Sequence, residues 1–242
     1  MFLYTGNTMF HLIRSGLLVL TCAALMGCAS QNAGTYHTSK KSDWIVLFDG
    51  TSTDALRGYR QDSFPAAGWV VQDGALKTVP RVGRVDLITR ERFKDFELEL
   101  EWKVSPAGNS GVFYGVQETD GPSYSTGPEM QVLDDSKHRD GGNPTTSSGA
   151  LYALIAPNAS KQLRPVGEYN HAKVVAKNGH IEHWLNGAKI LEYDWDSPEI
   201  KKLIAGSKFN TMPRFMENLE GHIGFQHHGE EVWFRNIRIR RL

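Results

Sequence analysis

Cysteine is nearly absent from this chain: 242 residues contain two, Cys22 and Cys28. Both lie near the start, so everything after position 28 has no thiol and must hold together without disulfides. A dominant sign of charge is also missing. The 27 basic residues balance 27 acidic ones, and a formal net charge of zero gives no field that would attract nucleic acid or a strongly anionic partner. Long hydrophobic runs are missing too, because the apolar stretch at 17–25 is too short to span a bilayer as a finished helix. Neither an internal repeat nor a low-complexity block occurs. What the chain does have is six Trp, eight Tyr and 24 Gly, a composition suited to a turn-rich β protein with aromatic platforms.

The first 28 residues read as a leader. Met9 offers a second start, His11 and Arg14 give a positive flank, and the short apolar run ends at Leu25-Met26-Gly27-Cys28. That ending resembles the lipobox of bacterial lipoproteins, which implies lipid on Cys28 as the first mature residue. Ala29 carries no evident inner-membrane retention signal, so the expected location is the periplasm or cell surface, lipid-anchored to the outer membrane. A plain cleaved signal peptide is the alternative. Residues 29–42 read as a flexible tether, and residues 43–242 as a single β-sandwich domain with enough chain for a real core.

Within that domain the pattern is strand after strand. Phe96, Leu98, Leu100, Trp102 and Val104 alternate with charges, including the row Glu97, Glu99, Glu101, which reads as solvated surface. Asn178-Gly179 and Asn186-Gly187 join three strands into a meander. Ser197-Pro198-Glu199 opens a short helix stopped by Gly206. Along the last strand Val232 and Phe234 have one parity and Ile237 and Ile239 the other, which predicts a bulge near Asn236.

The stretch Gly127-Pro128-Glu129-Met130-Gln131-Val132-Leu133-Asp134-Asp135 stands apart, because its apolar residues alternate with a carboxylate and an amide. Glu129 and Gln131 share one face. A bulge after Gln131 would return Asp134 to that face and make a row of acid, amide and acid. Unpaired carboxylates do not belong on a buried face, so the row either lines a groove, is fully hydrogen-bonded, or is the wet side of an ordinary strand. The polar loop at 136–148 follows, and His138 and Asp140 with Asp134 make a candidate metal cluster that no separated second ligand pair supports. No metal and no cofactor is therefore assigned. Asn109-Ser110-Gly111 opens another strand with small residues that let something approach the backbone. Gln226 and His228 also share a strand face, and pairing of the two polar faces would bring an imidazole and a carboxylate over one groove.

Several motifs together carry a resemblance. Asn109-Ser110-Gly111-Val112-Phe113, the Gly127 to Asp134 run, Trp184-Leu185-Asn186-Gly187, Ser207-Lys208-Phe209, Gly221 to Gly229 and Phe234-Arg235-Asn236-Ile237 are similar, in order, to the secreted bacterial 3-keto-disaccharide hydrolase family. The resemblance implies an all-β, two-sheet antiparallel jelly roll of the concanavalin type, with sugar on its concave side, and cleavage of glycosides already oxidised at carbon three. One departure stands out: the family's usual Gln-Asp-His-Gly reads Gln226-His227-His228-Gly229 here.

The expected site has Glu129, His228 and Asp134 as catalytic groups and Asn109, Tyr114, Gln131, Trp184 and Gln226 as substrate contacts. The implied partner is an oxidised 3-keto glycoside or disaccharide. A ketone at carbon three acidifies the hydrogen on carbon two, so a base removes it and the glycosidic oxygen leaves by elimination; hydration completes a net hydrolysis. His228 suits the base, Gln131 or Gln226 the enolate donor, and Glu129 or Asp134 the acid, with the roles of His228 and Glu129 exchangeable. Two alternatives stay open: a non-catalytic glycan-binding jelly roll, and a retaining glycosidase. The second needs two carboxyl groups about 5 Å apart, whereas alpha carbons of residues four strand positions apart lie about 13 Å from each other.

Overall fold

The computed structural model describes residues 43–242, so the leader, Cys28 and the tether lie outside the described residues. Two antiparallel sheets face one another. The larger holds eight strands: β3 (Trp69–Gln72), β4 (Ala75–Thr78), β6 (Phe96–Val104), β9 (Asn170–Lys177), β10 (His180–Leu185), β11 (Ala188–Asp194), β13 (Val232–Arg241) and β1 (Ile45–Phe48), the last paired to β13. The smaller runs β2 (Leu56–Gly58), β5 (Leu87–Thr89), β12 (His222–Phe225), β7 (Asn109–Val116) and β8 (Glu129–Leu133). The one α-helix among the described residues, α1 (Pro198–Ala205), has Ser197 as its cap and Pro198 in the first turn. No helix among the described residues is long and apolar enough to cross a membrane.

The alternation read in β6 is real. Its five apolar residues are buried against Val112, Tyr114, Met130, Val132, Ile223 and Phe225 of the smaller sheet, forming one core between the layers. Both Asn-Gly pairs have positive φ at each residue, as two-residue hairpin turns need (Asn178 51°, Gly179 82°, Asn186 48°, Gly187 87°). The bulge falls at Asn236, with φ of 52°. It lets Arg235 and Arg238, three apart, face Glu101 and Glu99, two apart, so both halves of β13 keep their apolar residues inward.

The other expected bulge is absent. Strands β7 and β8 pair without a shift from Phe113↔Glu129 to Asn109↔Leu133, so Leu133, and not Asp134, shares the face of Glu129 and Gln131. The free edge of β8 is covered by residues 149–155, which fold back along it through Gly149 N–H to Gln131 O (2.8 Å), Gln131 N–H to Ala150 O (3.1 Å) and Tyr152 N–H to Glu129 O (3.0 Å). A second buried cluster of Ile88, Phe113 and Val116 lies apart from the main core, on the outer face of the smaller sheet. That face carries the candidate site.

Candidate active site

The site is assembled across β8, β7 and the chain leaving β12. Gly111 pairs with Gln131 on one side, and its carbonyl accepts from Gln226 N–H (2.9 Å) on the other. Neighbouring strands are about 4.8 Å apart, so the two glutamines flank a strip whose middle position has no side chain. The carboxyl of Glu129 lies over that gap. A Cβ on Gly111 would fall 1.9 Å from Glu129 Oε1, so glycine here is a space requirement.

Loops build the walls. Residues 134–155 return over β8 through 3-10 turns at Arg139–Gly142 and Pro144–Thr146, and a further turn at Lys208–Thr211 closes the far side. The open cleft of about 310 Å³ is lined by Glu129, Gln131, Asn109, Gln226 and His228, joined by Tyr124, Arg139, Asp140, Tyr152, Lys208, Phe209 and Met212.

Glu129 is 8 % exposed. Burial pushes its carboxyl up to about 8, with Lys208 pulling it down and Asp86 and Asp140 pushing it up. It forms no ion pair among the described residues and stays neutral at neutral pH. His228 is held differently: its Nδ1 meets Glu230 Oε2 at 2.8 Å. In the neutral ring, Nδ1–H donates to that carboxylate and Nε2 keeps its lone pair. The ring of His138 stands edge-on to His228 at 6.2 Å between centroids, and its Nε2 lies 3.5 Å from Asn109 Nδ2. Two buried acceptors, Asn109 Oδ1 and Gln226 Oε1, have no partner. Such atoms are costly unless a ligand or water donates to them.

Not every expected residue reaches this cavity. Asp134 lines a different cavity, with Trp102 and Asn170, and its oxygens accept from Ala107 N–H (2.8 Å), Ser136 N–H (2.9 Å) and Ser136 Oγ (2.6 Å). Desolvation opposes ionisation there, but those bonds prevail and hold the carboxyl below its ordinary range. It is a loop cap, and its displacement follows from the missing bulge. Tyr114 points between the sheets, where its hydroxyl meets His183 Nε2 (2.7 Å) and Tyr193 Oη (2.8 Å). Trp184 lies on the outer face of the larger sheet, bonded to Glu182 (2.8 Å) beneath the Lys173 ammonium. Both aromatic assignments are corrected by strand parity. Asp134, His138 and Asp140 do not converge as metal ligands; among the described residues the grouping with that spacing is His180, Glu182 and Glu192, already shared with Lys189.

His227, the family departure, is buried edge-on to Trp69 at 5.8 Å, and its Nε2–H donates to Val79 O (3.1 Å). It does not line the cavity. Its backbone N–H donates to Asp86 (2.8 Å), a carboxyl raised by burial and also bonded by Ser123 Oγ. Lys208, Tyr152 and Arg139 also line the cavity and belong to no strand motif. Only Lys208 left a trace in the sequence, as the middle of Ser207-Lys208-Phe209.

Comparison with known proteins agrees with this architecture. A family model described as the 3-keto-alpha-glucoside-1,2-lyase-like domain matches residues 43–240. A Bacteroides thetaiotaomicron protein named 3-keto-disaccharide hydrolase is 38% identical over 229 residues, covering 82% of this chain and 78% of that one. Two crystal structures from Parabacteroides distasonis, each described as a putative glycosyl hydrolase, share 30% and 28% identity with TM-scores of 0.76 and 0.63; each alignment covers 82% of this chain, and 94% and 99% of theirs. An endo-beta-1,3(4)-glucanase of family GH16, at 10% identity and a TM-score of 0.50 over 83% of this chain and 96% of its own, shares the fold alone. With residues 43–240 of the described 43–242 matched, the chain belongs to the 3-keto-alpha-glucoside-1,2-lyase-like family.

Proposed function

We propose that the chain cleaves glycosides already oxidised at carbon three, by elimination followed by hydration. Family membership makes it a carbohydrate-active enzyme of the hydrolase type. The finer reading rests on one observation above the others: a buried carboxyl raised to about 8 shares a cavity with an imidazole fixed by a second carboxylate. Elimination next to a ketone needs a base for carbon two and a proton for the departing oxygen, and the two groups supply them.

His228 Nε2 takes the proton from carbon two, while Glu230 steadies the imidazolium that forms. The bond to the glycosidic oxygen then breaks as the double bond between carbons one and two forms, and Glu129 gives that oxygen its proton. Water adds to carbon one of the unsaturated ketone and a proton returns to carbon two. The unpartnered oxygens of Asn109 and Gln226 suit sugar hydroxyls, which donate.

Matched glucosides and 3-keto-glucosides test the reaction class. Cleavage of the keto substrate alone is expected, with deuterium on carbon two when the reaction runs in heavy water. Retention of the original hydrogen, under conditions where free product does not exchange, contradicts elimination. Binding of both sugars without turnover of either returns the chain to a glycan-binding module. The lipid anchor at Cys28 and a location outside the cytoplasm belong to the same proposal. Cys28→Ala is expected to move a processed protein out of the membrane fraction, and unchanged partition contradicts the anchor.

A further inference from the structure

Removal of the proton from carbon two leaves negative charge on the oxygen of carbon three, and a donor must meet it. The sequence assigned that task to Gln131 or Gln226. Gln131 is held locally, one Nε2–H donating to Thr146 O (3.2 Å) and Oε1 accepting from Val132 N–H (3.2 Å), which leaves one neutral N–H. Gln226 presents a buried, unpartnered oxygen, and its amide N–H groups are neutral donors, weaker toward a forming anion than a cation is. Two cations line the cavity. Arg139, with its side chain 86% exposed, leans on Asp140.

Lys208 is the other. Its ammonium lies over the rings of Tyr152 (4.3 Å to the centroid) and Phe209 (5.2 Å) and makes no hydrogen bond or ion pair among the described residues. Contact with an aromatic face stabilises a cation without using its N–H donors, so all three remain for a ligand. The perch is rigid. Ser207 caps the turn by accepting from Phe209 N–H (3.1 Å) and donating to Ile204 O (2.8 Å), and Phe209 stacks on Phe215 at 3.9 Å. Tyr152 is tied by its backbone to Glu129 O and by its hydroxyl to Asp140 (3.3 Å).

The geometry points to Lys208 as a catalytic residue that hydrogen-bonds the carbon-three oxygen through its ammonium and stabilises the enolate. This rests on the elimination reading given above. The electron pair of the broken C–H bond becomes the bond between carbons two and three, and the carbonyl pair moves onto the oxygen facing Lys208. That pair returns to re-form the carbonyl as the glycosidic oxygen leaves. No bond to nitrogen forms. The sugar is thereby oriented, with its ketone toward Lys208 and its hydroxyls toward Asn109 and Gln226.

The test isolates enolisation with a 3-keto sugar carrying hydrogen in place of the glycosidic oxygen on carbon one, followed by proton NMR in heavy water. Wild-type protein is expected to catalyse exchange at carbon two. Lys208→Met is expected to slow it about 100-fold or more, and Lys208→Arg, which keeps charge and donors, to retain a measurable part of the rate. Exchange at the wild-type rate in Lys208→Met overturns the assignment and leaves elimination standing. Absence of exchange in the wild type overturns both. Borohydride reduction that fixes the sugar on Lys208 contradicts the hydrogen-bonding role, because it requires an imine. Lys208→Gln, measured alongside, keeps the assignment falsifiable if the Met variant fails to fold.

Discussion

Along β6 and β13 three glutamates on the outer face, Glu97, Glu99 and Glu101, meet Arg240, Arg238 and Arg235 across the strand pair, with Arg235 Nε 2.6 Å from Glu101 and Arg238 Nε 2.9 Å from Glu99. On the outer face of the smaller sheet, Glu129 meets no such partner; burial keeps it neutral, and the nearby Lys208 is parked on aromatic rings. The same residue types serve opposite ends. Paired, half-exposed charges cover a sheet and contribute little each. Unpaired, desolvated groups are costly to fold, and a chain that tolerates three of them around one cavity, the Glu129 carboxyl and the oxygens of Asn109 and Gln226, has a use for the ligand that satisfies them.

The sharpest way to break this contrast is Glu129→Gln, which keeps shape and removes the transferable proton. Activity is expected to fall by about 10²-fold or more. Stability should move the other way above neutral pH. The folded carboxyl is raised to about 8 from 4.5, so it loses stability as pH climbs between those values, and an amide does not. A lower unfolding midpoint for the variant at pH 8 would contradict the buried, unpaired state. Gly111→Ala comes next. The added Cβ displaces the Glu129 carboxyl, for about a 100-fold loss of turnover in a folded protein, checked by kinetics beside circular dichroism.

His183 sharpens the comparison from the interior. Its Nδ1–H donates to Gly149 O (3.0 Å), its Nε2 accepts from Tyr114, and burial lowers it to about 4. The unfolded chain takes up that proton first, so stability is full above the unfolded value near 6.5 and falls as pH drops toward 4, by on the order of 3 kcal/mol. A His183→Gln variant whose acid unfolding follows the wild-type pH dependence would remove that assignment. The smallest effect belongs to the paired face: Glu99→Gln is expected to cost under about 1 kcal/mol in denaturant unfolding and to leave turnover unchanged.

Much of the larger sheet was legible in the sequence because its strands are half-wet: Glu97 to Lys103 alternate with apolar residues, and the Asn-Gly turns demand positive φ. The smaller sheet was harder to read. Strands β2 and β5 have three residues each, too few to show a period, and β7 and β8 are buried on both faces. Glu129 and Gln131 are legible from the face of β8, whereas Gln226 and His228 sit on the chain beyond β12, a strand that β7 separates from β8. Asp134 falls off the β8 face because the register of β7 and β8 contains no bulge. Tyr114 and Trp184 are aromatic, but their strand positions point the first into the core and the second onto the outer face of the larger sheet. Lys208, Tyr152 and Arg139 sit on loops, and no periodicity reveals which loops close over a given strand.

The most direct measurement is the protonation state of Glu129 itself, by infrared difference spectra of wild type against Glu129→Gln across a pH series. A protonated-carboxyl band present at pH 7 and lost as pH rises through about 8 is the expected result. A carboxylate band already present at pH 6, with no change on going to pH 9, would contradict a neutral acid at the centre of the site.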